Sequence, residues 1–193
     1  DILNELAFEN YSRDIDNALS YLKEARKISV KIKYTKGEAK SFYIEGITKV
    51  IQSDLDKGLT LFEKSIQLYE SVNDIQGIST NYNGIGVVYY YKGDYYKSID
   101  YYKKSLKLDE QSGDNSKIKS SLNNLGNSYS DIGEFDKALV YYKRALKINR
   151  ELNNKDGIAT SLNNIGTVYD DEGNYPLALE YYNKSLSIYQ KIK

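Results

Sequence analysis

The feature that most constrains this chain is that it repeats itself every 40 residues. From Ser121 to Ile148, 14 of 28 positions recur identically 40 residues later. A glycine marks the period at Gly46, Gly86, Gly126 and Gly166. Seven residues on come Arg13, Ser53, Gly93, Gly133 and Gly173, followed by Asp14, Asp54, Asp94, Glu134 and Asn174. Two further series hold only small residues: Ala18, Gly58, Ser98, Ala138 and Ala178, then Ala25, Ser65, Ser105, Ala145 and Ser185. Self-similarity at this period is the mark of a repeat architecture, in which each unit is one supersecondary element. The period divides the chain into units of about 1–33, 37–73, 77–113, 117–153 and 157–193. They read as a single array and as a piece of a longer protein.

Each unit carries two helical patterns. Leu122, Leu125, Gly126 and Tyr129 follow the i, i+3, i+4, i+7 spacing of one helix face. Gly133 suits a helix C-terminus, and the acidic or Asn residue after it suits the next N-terminus. Phe135, Ala138, Leu139, Tyr142, Ala145 and Leu146 then give a second face, in a helix expected to reach about Asn153. The stretch "LNNKDG" reads as the loop to the next unit, with counterparts "YTKG" at Tyr34, "VNDIQG" at Val72 and "SGDNSK" at Ser112. Pro176 falls in a first helical turn, where proline is tolerated. Gly126, Ala138 and Ala145 let paired helices approach closely, and Tyr142 fills the space between them. A helix hairpin of this size cannot bury its apolar faces alone, so neighbours stack. The expected fold is all-α: a right-handed α-solenoid of about five antiparallel helix pairs.

The series Leu122-x-x-Leu125-Gly126-x-x-Tyr129, with Ala138, Tyr142 and Ala145 behind it, resembles the tetratricopeptide repeat. Tyr82-x-x-Ile85-Gly86-x-x-Tyr89 and Leu162-x-x-Ile165-Gly166-x-x-Tyr169 match the same pattern. The resemblance covers about residues 40–193 well and 1–39 weakly. It departs from the family in its 40-residue length and in lacking the proline near the repeat end, where Arg150 and Gln190 stand. The longer form is similar to repeats in Leu-Gly-Asn scaffolds, kinesin light chains, bacterial Rap-type regulators and sensor segments of bacterial kinases and cyclases.

Composition removes several chemistries. The chain has no His and no Cys, so it holds no Ser–His–Asp triad, thiol nucleophile or disulfide, and no zinc site of the usual ligands. Lys plus Arg and Asp plus Glu are each 27, a balance without the electrostatic footprint of a nucleic-acid binder. No apolar run approaches the length needed to span a membrane. "DDEGN" at Asp170 lacks the ligand alternation of a calcium loop and reads as a helix end leading into a cap. Gly84 and Gly86 lie inside a helix pattern and form no dinucleotide fingerprint. Asn10-Tyr-Ser12 and Asn183-Lys-Ser185 match the glycosylation acceptor pattern, which is common by chance. The expectation is a non-catalytic protein without metal or cofactor, soluble and cytoplasmic, with the bacterial periplasm as the alternative.

At ~100° per residue, Ser120, Asn123, Asn127, Ser130 and Asp131 fall opposite the apolar face of their helix. In tetratricopeptide proteins that stripe lines the concave groove. Its equivalents are Thr80, Asn83, Val87, Tyr90 and Tyr91; Thr160, Asn163, Thr167, Asp170 and Asp171; and Lys40, Tyr43, Ile47, Val50 and Ile51. Asn83, Asn123 and Asn163 form a ladder at 40-residue spacing, and a carboxamide donates and accepts at once, which suits a peptide backbone. The candidate peptide-binding residues are therefore Asn83, Tyr90, Asn123, Asn127, Asp131, Asn163, Asp170 and Asp171. The stripe lacks the cations of a carboxylate clamp in units three to five. The expected role is a scaffold binding a protein or peptide, or, as the alternative, the sensing domain of a larger signalling protein. The last helix carries Tyr182, Leu186, Ile188 and Tyr189 with no following unit, so the expectation is end-to-end self-association with another copy or a longer chain that continues with a capping helix.

Overall fold

The computed structural model describes residues 1–192 as ten α-helices with no strand among them. They are α1 (Ile2–Asn10), α2 (Ile15–Lys31), α3 (Thr35–Ile51), α4 (Leu55–Ser71), α5 (Ile75–Tyr91), α6 (Tyr95–Ser112), α7 (Asn115–Asp131), α8 (Phe135–Glu151), α9 (Lys155–Asp171) and α10 (Tyr175–Ile192). Two compact units divide them, Asp1–Ser112 and Gly113–Lys193. In the first, α3 packs on α4, α4 on α5 and α5 on α6; in the second, α7 packs on α8, α8 on α9 and α9 on α10. Short connections make each pair antiparallel.

The backbone shows a shorter beat than the sequence pattern. Lys33, Ser53, Asn73, Gly93, Gly113, Gly133, Asn153 and Gly173 all take positive φ. They fall 20 residues apart, in the turns within pairs and in the turns between pairs alike. The turns at Lys33, Ser53, Asn73, Gly93, Gly133, Asn153 and Gly173 close the same way: the residue after the left-handed one donates its N–H to a carbonyl five residues back. Examples are Asp94 to Tyr89 at 2.9 Å and Asn154 to Asn149 at 2.9 Å. This is the Schellman closure, which satisfies orphan carbonyls of the helix end. That same residue then caps the next helix. Asp54, Asp74, Asp114 and Asn154 each accept a first-turn N–H on their side-chain oxygen.

The connections between pairs are shorter than the four- to six-residue loops expected from the sequence, covering 32–34, 72–74, 113–114 and 152–154: Lys155, Asp156 and Gly157 are already helical, as are the residues from Thr35, Ile75 and Asn115. The Gly in "VNDIQG" and "LNNKDG" breaks no helix. It lets the first turn lie against the preceding helix. A Cβ on Gly77 would meet the Tyr69 ring at 2.4 Å, and one on Gly157 would meet Asn149 Oδ1 at 2.3 Å.

The ruler glycines and the small-residue series do what their pattern implied. A Cβ on Gly126 would stand 2.5 Å from the ring of Tyr142, and one on Gly86 2.5 Å from that of Tyr102. The serines in the second small series have a further task. Ser65 donates to the Ala39 carbonyl at 2.8 Å, Ser105 to Ser79 at 3.0 Å and Ser185 to Ala159 at 2.7 Å. These buried bonds clip the second helix of a pair to a carbonyl of the first. The paired tyrosines also pack: Tyr101 stacks on Tyr89 at 5.6 Å, Tyr141 on Tyr129 at 5.4 Å and Tyr181 on Tyr169 at 5.5 Å.

Candidate functional site

The polar stripe lies on the first helix of each pair, and the two units hold it differently. In Gly113–Lys193 it runs along α7 and α9. Asn127, Asp131, Asn163, Asp170 and Asp171 are exposed there, and Asn123 is half-buried. The Asn123 side-chain oxygen is enclosed and has no hydrogen-bond partner. An enclosed, unsatisfied amide oxygen is costly to leave unpaired. Ser130 and Asp171 approach to 3.5 Å, so the stripe residues of α7 and α9 meet at their C-terminal ends.

The second helices reach into this stripe. The Tyr142 hydroxyl donates to Asn127 Oδ1, and the Tyr182 hydroxyl lies 3.4 Å from Thr167 and 3.5 Å from Asp170. Asn127 and Thr167 occupy equivalent places, so one tyrosine per pair orients one stripe residue. Asn127 keeps its amide N–H groups for other partners, while its oxygen serves the fold. Three carboxylates, Asp131, Asp170 and Asp171, face outward here with no Lys or Arg of the stripe among them. That field favours a cationic ligand.

In Asp1–Ser112 the stripe is mostly consumed by packing. Tyr43, Ile47 and Val50 pack against a core of Phe62, Ile66, Ile85 and Val88. Burial pushes the Tyr43 phenol up to about 12, with Tyr11 adding to it. Lys40 is held by Glu5 of α1. Asn83 and Tyr90 are half-buried, and the Tyr90 ring packs edge-on against Tyr95 at 5.5 Å. The even ladder expected from Asn83, Asn123 and Asn163 is thus uneven in environment: half-buried at Asn83 and Asn123, exposed at Asn163.

Among the described residues, no cluster of three or more carboxylates could hold a metal, and no helix is long and apolar enough to cross a membrane. A tetratricopeptide repeat model matches residues 38–111, 77–151 and 117–191. The chain belongs to the tetratricopeptide repeat family.

Tetratricopeptide repeats are in general non-catalytic scaffolds for protein interaction. No curated protein matches it by sequence. Solved structures share the fold at low identity. BtubC from P. vanneervenii superposes with a TM-score of 0.84 at 18% identity, over 93% of this chain and 75% of that one. A putative kinesin light chain of Podosopora anserina with nearly identical TPR-like repeats gives 0.79 at 12%, over 98% and 94%. The apo form of RapI gives 0.77 at 22%, over 97% of this chain and 54% of RapI, so the shared fold spans about half of that protein.

The sequence pattern missed a second surface of the tetratricopeptide unit Gly113–Lys193. An open groove of about 990 Å³ lies between α8 and α10, floored by α9. Its signal was a change of charge sign at repeat-equivalent places, not a motif: Glu63 becomes Lys143, and Glu70 becomes Arg150.

Proposed function

We propose that the α7–α9 stripe binds an extended peptide segment carrying basic residues, and that the protein acts as a non-catalytic docking scaffold. The observation that carries this reading is the row of exposed polar side chains along the stripe, Asn127, Asp131, Asn163, Asp170 and Asp171, beside the half-buried Asn123. Asn123 and Asn163 bond the peptide backbone, and Asp131, Asp170 and Asp171 select cationic side chains. The test is binding of the tightest decapeptide selected from a random library. Replacing Asn123 and Asn163 by Ala weakens it by about 1 kcal/mol per lost hydrogen bond. Replacing Asp131 and Asp171 by Ala weakens it in a way that salt diminishes. Normal binding by a double-Asn variant whose melting temperature has dropped sharply makes the ladder structural and refutes the reading.

A second reading, a sensing segment of a larger signalling protein, is favoured by the fold shared with a Rap protein complexed with Competence and Sporulation Factor, at a TM-score of 0.76 and 16% identity. It requires the selected peptide to alter the activity of a domain fused to these repeats in the full-length protein. A peptide that binds without any such change leaves the docking role alone.

A further inference from the structure

The groove between α8 and α10 is a second site with the opposite charge preference to the stripe. Its floor is apolar: Leu146, Ile158, Leu162 and Ile165, with Ile188 on one wall. On α9, Ile158, Leu162 and Ile165 lie on the side of the helix away from Asn163, Thr167 and Asp170. The walls carry Lys143, Lys147, Arg150 and Lys184 against a single carboxylate, Glu180. Glu180 is already paired to Lys184 at 2.5 Å, and Lys147 lies 3.9 Å from Glu151 outside the groove. Lys143 and Arg150 have no carboxylate partner among the described residues. Both are exposed, two turns apart on α8, about 10 Å along the axis.

The other unit shows that this groove is not a necessary by-product of the repeat. Between α4 and α6 the places of Lys143, Lys147 and Arg150 are taken by Glu63, Gln67 and Glu70. The place of Leu162 is taken by Tyr82, whose ring lies 6.0 Å from that of Tyr101. Lys104 then covers the Tyr101 ring at 4.5 Å. Shortening Tyr to Leu at position 162 opens the floor, and the sign change on α8 makes its wall basic.

We infer that this groove docks an acidic amphipathic helix from a partner protein, with an apolar stripe on the floor and carboxylates reaching Lys143 and Arg150. An apolar trough about two turns long, walled by cations, is complementary to such a helix in shape and in charge. The inference is independent of the peptide reading for α7 and α9.

The probe is a fluorescein-labelled 14-residue helical peptide with Leu at i, i+3, i+4 and i+7 and Glu on both flanks, followed by anisotropy. Its Gln counterpart, inorganic phosphate and an oligothymidylate serve as controls. The Glu peptide binds and the Gln peptide binds at least tenfold more weakly. Lys143→Glu with Arg150→Glu, which restores the signs of Glu63 and Glu70, weakens binding about tenfold, as expected when two rim contacts turn repulsive. Leu162→Tyr, which copies Tyr82, closes the floor and removes binding with helix content retained. Should that variant fail to fold, the exposed charge pair still decides the matter. Asn123→Ala with Asn163→Ala changes nothing. Equal binding of the Gln peptide, equal binding by the charge-reversed variant, or displacement by phosphate or oligothymidylate as readily as by unlabelled Glu peptide overturns the inference.

Discussion

Gly126→Ala is the sharpest probe of how the pairs are held. The new Cβ would meet Tyr142 Cε1 at 2.5 Å, Cζ at 2.7 Å and Cδ1 at 2.8 Å. Ordinary van der Waals contact begins near 3.4 Å, so the ring must move by most of an ångström. It is poorly free to do so, being 4% exposed with its hydroxyl tied to Asn127. Overpacking of this kind costs about 1–3 kcal/mol. Replacing Gly by Ala inside a helix returns up to about 1 kcal/mol. The net expectation is a loss of up to about 2 kcal/mol, and Gly126→Leu should lose more. The assay is urea unfolding of Gly126→Ala, Tyr142→Leu and the double variant. Shortening Tyr142 removes the clashing ring, so the two changes should couple by roughly 0.5–3 kcal/mol. Gly133→Ala is the control: nothing lies within 4 Å of its Cβ, but φ is +75°. It should cost about 1–2 kcal/mol from backbone strain and should not couple to Tyr142. A Gly126→Leu variant as stable as the parent, or a Gly126→Ala variant strictly additive with Tyr142→Leu, refutes the close-approach argument.

Three further outcomes follow from the same structure. Lys33 and Ser53 hold φ of 56° and 62° without being glycine, so Lys33→Gly and Ser53→Gly should each raise stability by a few tenths to about 1 kcal/mol in urea unfolding. Burial opposes ionisation of Asp74, yet Lys36 at 2.7 Å and the Gly77 N–H outweigh it and hold the carboxyl below its ordinary value. Its folded pKa being depressed, the stabilisation is complete above the unfolded value near 4 and declines as pH falls through the folded one. Asp74→Ala should therefore cost about 1 kcal/mol at neutral pH, a difference that shrinks in melts run below about pH 4. Leu179 and Leu186 are 61% and 53% exposed on a face of α10 that no described helix covers. We expect concentration-dependent association in light scattering, abolished by Leu179→Glu with Leu186→Lys; a parent that stays monomeric at high concentration removes that expectation.

The repeat and its helix faces were legible because burial acts on every copy alike. Leu122, Leu125, Gly126 and Tyr129 are all buried as their spacing implied. The 20-residue beat was hidden because its turn residue changes chemistry: Lys33, Ser53, Asn73 and Gly93 share a backbone conformation, not a side chain. The serine clips were hidden for the opposite reason. Ser65, Ser105 and Ser185 alternate with Ala25 and Ala145, so smallness masked the hydroxyl. On the site, a helical wheel separates the two faces of one helix but cannot see what neighbouring helices cover. Tyr43, Ile47 and Val50 therefore read as surface and are packed, and Asn127, a candidate peptide-binding residue, is tied to Tyr142. The basic groove escaped notice because its residues come from three helices and share no motif.

The central claim is that the carboxamide stripe of α7 and α9 is the ligand face. Backbone and side-chain amide chemical shifts, recorded on titration with the selected decapeptide, test it most directly. The account predicts the largest shifts at the carboxamides of Asn123 and Asn163 and the backbone amides around Asp171, with α8 and α10 quiet. Shifts concentrated on α8 and α10, with the Asn123 carboxamide unmoved, contradict it.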